Sequence, residues 1–129
     1  MSWEVVYFQS ERGENPIEGF LNALPTKARA KCIAYIDLLE EHGFSLPRSF
    51  IAKVRGDLWE LRPEWGGTEY RFFYFALIER RLVIVHAVTK KAQKLKAKDI
   101  ALAEARVADV RRRLTNESAS PLRARTDQG

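Results

Sequence analysis

The apolar residues of this chain recur with two different periods. "SWEVVYF" alternates around a Val5-Val6-Tyr7-Phe8 run and predicts a first strand. "ENPIEGFLNAL" predicts a short helix: Asn15 can cap it, Pro16 fits the first turn, and Glu18 completes a capping-box-like pair. Pro25 opens a second helix, in which Ala28, Cys32, Tyr35, Ile36 and Leu39 recur at helical spacing until Gly43 stops it. Together these make a helical hairpin. Residues 44–56 carry Pro47, end in "KVRG", and read as a loop. Three strands follow: "DLWELRP" and "TEYRFFYFALI" flank a Gly66-Gly67 turn, and "RLVIVHAVT" follows a short charged turn. From about Lys98 to Leu114, Ile100, Ala103, Val107, Val110 and Leu114 form one helical seam. The stretch "TNESASPLRARTDQG" has no period and predicts a disordered tail.

The resulting order, β-α-α-β-β-β-α, predicts an α+β domain over residues 1–114, with 115–129 as a dispensable tail. Its sheet should be rich in antiparallel pairs, with the helical hairpin on one face and the C-terminal helix completing the fold. A chain of 129 residues, 46% hydrophobic, suits one core. No apolar run reaches the ~20 residues of a membrane span. The N-terminus lacks a signal-peptide layout, and the single cysteine, Cys32, reads as a core thiol, so the expected compartment is the cytoplasm.

Charge changes the picture. Residues 1–89 carry 11 Lys and Arg against 12 Asp and Glu, whereas residues 90–129 carry 11 against 5. A basic end suits a polyanion such as nucleic acid; a solvated helix face with a basic tail is the plainer reading.

The Gly66-Gly67 turn puts Arg62 opposite Arg71, Glu60 opposite Phe73 and Leu58 opposite Phe75. A two- or four-residue second turn puts Phe73 opposite His86 and Phe75 opposite Ile84. Glu60, Arg62, Arg71 and His86 then share one face, while Trp59, Leu61, Phe72, Tyr74, Val83 and Val85 form the core face under the helical hairpin. Opposed like charges destabilise a strand pair. Either an external anion such as phosphate sits between the arginines, or Glu60, Glu64 or Glu69 neutralises them. In the first case one arginine should be removable without loss of stability. His86 lies in an apolar strand, where a histidine is either structural or, beside two arginines, a proton donor or acceptor. Lys53 and Arg55 precede the Arg62 strand, and Lys90, Lys91 and Lys94 follow the His86 strand, as a solvated linker or as a basic rim. Two separated histidines and one cysteine give no metal-ligand spacing, and no cofactor motif is present.

"KVRGDLWELRP", "EYRFFYF" and "LVIVHAVTKKAQKLKAKDIALAEAR", in that order, resemble the RelE/HigB-like toxins of bacterial type II toxin–antitoxin systems, most of all their phage-derived HigB-like branch. The resemblance spans about residues 1–112. It implies a RelE-like fold and a metal-independent, ribosome-dependent endoribonuclease that cleaves mRNA. It also implies a neutralising antitoxin with a helix-turn-helix domain. By position it implies Arg62, Arg71, His86 and Lys53 as catalytic residues, with Arg55, Lys90 and Lys91 contacting RNA; Lys94 is a further RNA-binding candidate from the same basic run. Ala97 stands where relatives often carry proline. Because the family includes gyrase inhibitors, a non-catalytic inhibitor of a protein target is the rival reading, and a plain RNA-binding module a third. In the catalytic reading His86 is the acid, and Lys53 or Glu60 the base.

Overall fold

The computed structural model describes residues 2–90, 95–116 and 119–127. Strand β1 (Glu4–Phe8) leads into helices α1 (Pro16–Asn22) and α2 (Thr26–His42) and a 3-10 turn, Gly43–Ser45. Strands β2 (Ile51–Arg55), β3 (Leu58–Leu61), β4 (Glu64–Trp65), β5 (Thr68–Leu77) and β6 (Arg81–Lys90) follow, then helix α3 (Ala97–Thr115) and strand β7 (Leu122–Ala124). The strands form one sheet of order β2-β3-β5-β6-β1-β7, with β4 paired to β5. Only the β1–β6 pair is parallel among the pairings described. The expected α+β architecture is therefore present. None of the described helices is long and apolar enough to cross a membrane.

Local chemistry accounts for the ends of the first two helices. The Asn15 side chain accepts from the Glu18 amide (3.1 Å) to cap α1, with Pro16 at its first position. Gly43 ends α2 at φ +56, where a Cβ would overlap the Trp3 indole at 2.0 Å. Ile17, Leu21, Ala28, Cys32, Ile36 and Leu39 bury the apolar stripe of α1 and α2 against Leu61, Phe72, Tyr74, Leu82 and Ile84. Burial pushes the Cys32 thiol up to about 12, consistent with an inert core residue. On the opposite face, α3 buries Ala103, Val107 and Val110 against Leu58, Phe73, Phe75, Val83 and Val85.

Four expectations are corrected. Residues 51–55 are an edge strand, not loop, with an irregularity between Lys53 and Arg55. The β5–β6 ladder shifts by one residue between Phe73 and Tyr74, so Phe73 faces His86 but Phe75 faces Val83, not Ile84. This bulge carries Val83 and Val85 to the α3 face and gives Leu82 and Ile84 to the helical-hairpin face. At the end of the α3 seam, Leu114 is exposed and Arg113 is buried. Finally, 119–127 is not a disordered tail: β7 adds to the free edge of β1, with Tyr7 opposite Arg123. Arg125 is buried between Asp37 (2.7 Å), Glu40 (3.4 Å) and Asp127 (2.8 Å), which compensates its charge.

Candidate active site

The Gly66-Gly67 hairpin has the expected register: Glu60 faces Phe73 in β3–β5, and Glu64 faces Glu69 in β4–β5. Between these ladders both registers continue, but Pro63 has no N–H with which to return a ladder bond. The Arg62 amide donates to the Phe50 carbonyl (2.8 Å), and the Tyr70 amide donates to the Pro63 carbonyl (2.9 Å). Arg62 and Arg71 therefore approach one another around a short break in the ladder.

What sits between them is the chain's own Glu60. One Glu60 oxygen lies 3.4 Å from Arg71 Nε and the other 3.7 Å from Arg62 Nε. Arg71, 2% exposed, also donates to the Glu69 carboxylate (2.7 Å) and the Tyr70 carbonyl (2.8 Å). Arg62 donates to the Arg48 carbonyl (3.2 Å). Lys90 Nζ lies 3.9 Å from Glu69. The arginine pair is thus neutralised from within, as the second of the two sequence readings held. The expectation that one of the pair is removable without cost does not fit Arg71, which is buried and anchored on three sides.

The two carboxylates shift in opposite directions beside the same arginine. Glu69 is held below its ordinary value, chiefly by its hydrogen bond from Arg71 and then by the Arg71 charge. Glu60 is pushed above it because burial outweighs the attraction of Arg71, Arg62 and Lys90. Its Oε1 and the Arg71 Nε are both buried without a well-formed hydrogen bond. A buried carboxyl with raised proton affinity beside cations is a common arrangement for acid–base work. Arg62, Arg71 and Glu69 line a polar cleft of about 300 Å³ with Tyr35, Ser49 and Glu64, and Glu60 lies directly behind its two arginines.

His86 shares the α3 face but not the cleft lining. Its ring stacks on Phe73 (5.9 Å, 12°). Nε2 lies 3.0 Å from Asp99 Oδ1, and Nδ1 lies 3.3 Å from Arg106 Nη1. A guanidinium only donates, so Nδ1 accepts, and Nε2 carries the proton given to Asp99. Arg106 also donates to the Val85 carbonyl (2.9 Å). Both ring nitrogens are therefore engaged in fastening α3 to β6.

The other expected residues separate. Lys53 is opposite Trp59, on the helical-hairpin side of the sheet, so it does not meet Arg62, Arg71 or His86. Arg55, beyond the β2 irregularity, is held bidentately by Glu104 of α3 (2.6 and 2.9 Å). Lys90 reaches the cleft cluster through Glu69, and Lys91 and Lys94 lie outside the described residues. Tyr35, Ser49, Asp99 and Arg106 escaped the sequence reading. Asp99 and Arg106 are two helical turns apart beside the α3 seam, a spacing that could have paired them with a strand histidine. Tyr35 fits the α2 seam by its spacing, and nothing in the local sequence singles out Ser49.

A family model described as "Phage derived protein Gp49-like (DUF891)" matches residues 19–108, a span holding every described member of the cleft cluster. No curated protein matches the chain.

Proposed function

The chain belongs to the Gp49-like family, a toxin-like family of the RelE/ParE superfamily, and from that premise we propose that it is an endoribonuclease toxin that cuts mRNA on the ribosome. Membership implies a cognate antitoxin; we assign that partner a helix-turn-helix domain, following the resemblance in the strand motifs. The observation that carries the catalytic reading is the buried Glu60, with its raised proton affinity, between Arg62 and Arg71 at a polar cleft.

RNA cleavage requires the 2′-hydroxyl to attack the adjacent phosphorus. Glu60 takes the hydroxyl proton, a task matched to a carboxylate whose proton affinity has been raised by burial. The phosphate displaces Glu69 from Arg71 and engages Arg62, so both guanidiniums meet the charge that grows on the phosphoryl oxygens. The P–O5′ bond breaks as Lys90 protonates the departing oxygen, leaving a 2′,3′-cyclic phosphate and a free 5′-hydroxyl. In this scheme His86 is a positioning residue for α3, and Lys53 takes no part in proton transfer.

A specific observation favours the rival reading, a non-catalytic inhibitor of a protein target: both arginines of the cleft are already paired with carboxylates, Glu60 between the two and Glu69 on Arg71. Expression without the antitoxin, with transcript mapping, separates the two. Wild type should arrest growth and cut transcripts within translated frames. Glu60→Gln and Arg62→Ala should lose roughly 10²–10³ in cleavage rate. Arg62 is 35% exposed, so its removal should leave folding nearly intact. Growth arrest that persists in both variants, with transcripts whole, would refute the nuclease.

A further inference from the structure

A second cavity lies at the β2 edge, across the Pro47–Phe50 segment from the Arg62 cleft. It measures about 470 Å³, within the usual range for small-ligand pockets. Phe44 and Trp59 supply aromatic wall, Leu46 and Ile51 apolar floor, and Arg48 and Lys53 stand at its rim. The wall is rigid: Phe44 meets Trp59 edge-on at 5.0 Å and is held from behind by Trp3 at 5.5 Å and Tyr74 at 6.0 Å. Trp59 is nevertheless only half-buried, which is unusual for a large indole opposite a core strand. The rim has the reverse character to the Arg62 cleft. Among the described residues no carboxylate pairs with Arg48 or Lys53, whereas Arg55, Arg62, Arg71 and Lys90 all have one.

We propose that this pocket is a nucleotide subsite, in which one base of a single-stranded RNA stacks against Trp59 and its phosphate is held by Lys53 and Arg48. Stacking on an aromatic wall with cations alongside is how proteins hold unpaired bases without base pairing. An uncharged apolar ligand would leave two cations without purpose, and a simple anion would leave the aromatic wall without one. The position also connects to the candidate active site. The Pro47–Phe50 segment divides the two: Arg48 lines the pocket and Ser49 lines the cleft. The Arg62 guanidinium donates to the Arg48 carbonyl, tying the two sides together. A strand crossing this segment presents its backbone to the Arg62 cleft while an adjacent base enters the pocket. The inference extends the RNA reading given above and assigns Lys53 to holding substrate.

Amide NMR titration of the full chain with adenosine 5′-monophosphate tests it, because binding is read whether or not the protein cuts RNA. Saturable shifts should appear at Ala52, Lys53 and Trp59. Ribose 5-phosphate, which lacks the base, should bind at least about fivefold more weakly, the lower end of a base-stacking contribution, and adenosine, which lacks the phosphate, should also bind more weakly than the nucleotide. The exposed double variant Arg48→Ala/Lys53→Ala should lose the phosphate preference while keeping its melting temperature. Trp59→Leu should lose the base preference, and Trp59→Phe should retain it. Glu60→Gln should bind the nucleotide as wild type does, so failure of the nuclease reading and failure of the subsite are separate results. Shifts confined to the Arg62 cleft, equal binding of ribose 5-phosphate, or no saturable shift would each overturn the subsite.

Discussion

Arg71 stands between two glutamates that respond to it in opposite senses, and the difference lies in hydrogen bonding and water. Glu69 is half-exposed and accepts a well-formed 2.7 Å bond, so its charged form is favoured. Glu60 is buried and its nearer oxygen lacks such a bond, so desolvation prevails. The signs follow. Glu69, with its folded pKa depressed, contributes stability that is present above its ordinary value of 4.5 and is lost as pH falls through the lower folded value. Glu60, with its folded pKa raised, contributes a penalty that is absent below 4.5 and sets in as pH rises through the higher folded value. Carboxyl-carbon NMR should therefore find Glu60 titrating above 4.5 and Glu69 below it. A Glu60 that titrates below 4.5 would remove the reason for choosing it as the base. Arg71 itself gives a second expectation. Its removal strands the Glu60 charge in a buried site, and breaking a buried pair from one side costs about 3–5 kcal/mol. Arg71→Ala should accordingly melt ~10 °C or more below wild type. If its melting temperature is unchanged, the arginine is not structural, and its loss of toxicity becomes a clean probe of catalysis. Until that is measured, Arg62→Ala is the better test of function.

At the scale of elements, what the sequence made legible was what local chemistry specifies. Gly66 and Gly67 both take positive φ (+59 and +80), and a Gly-Gly pair announces such a turn, so the register between Glu60 and Phe73 could be counted from it. The caps and stops of α1 and α2 were legible for the same reason. The β6 bulge was not: "VIVHAV" alternates equally well in either register, and the choice is made by what α3 offers. With the shift, Val83 and Val85 fill the α3 face and His86 meets Asp99 and Arg106. β2 was hidden because its irregularity breaks the strand period, and two of its five residues are exposed cations, Lys53 and Arg55. That one irregularity also sends Lys53 and Arg55 to different sides of the sheet, which position along the chain could not reveal. The cleft was half legible. Arg62, Arg71 and the glutamates around them follow from hairpin register, but Tyr35 and Ser49 come from a helix and a turn that reach the site only in three dimensions.

At the scale of the whole molecule, the C-terminal segment closes the fold. Read alone, 115–129 has too few apolar residues to offset the cost of ordering it. The compensation is non-local. β7 takes up the hydrogen bonds of the β1 edge, and the Gln9 amide donates to the Pro121 carbonyl at 2.7 Å. Tyr7, in the same strand, donates to Asp127 at 2.7 Å. Arg113, buried at the end of α3, donates to the carbonyls of Gln9, Ala119 and Ser120, so the turn back toward the sheet is built around its guanidinium. Arg125 then locks the segment to Asp37 and Glu40 of α2. One short stretch thus joins α3, the sheet edge and the helical hairpin, which lie on both faces of the sheet. A chain ending at Leu114 loses all of this at once. It leaves an open strand edge, an exposed Tyr7, a buried Arg113 without its carbonyl acceptors from 119 and 120, and two acidic groups on α2 without their cation. Each such loss costs on the order of 1–3 kcal/mol, against a total stability of about 5–15 kcal/mol for a domain. The truncated chain should therefore be unfolded or aggregated at temperatures where the full chain is native. Arg125→Ala, which keeps β7 but strands the acidic groups, should fall between the two in urea midpoint. If the chain ending at Leu114 shows the full chain's midpoint and slope, the segment is an accessory that rests on a fold already complete without it.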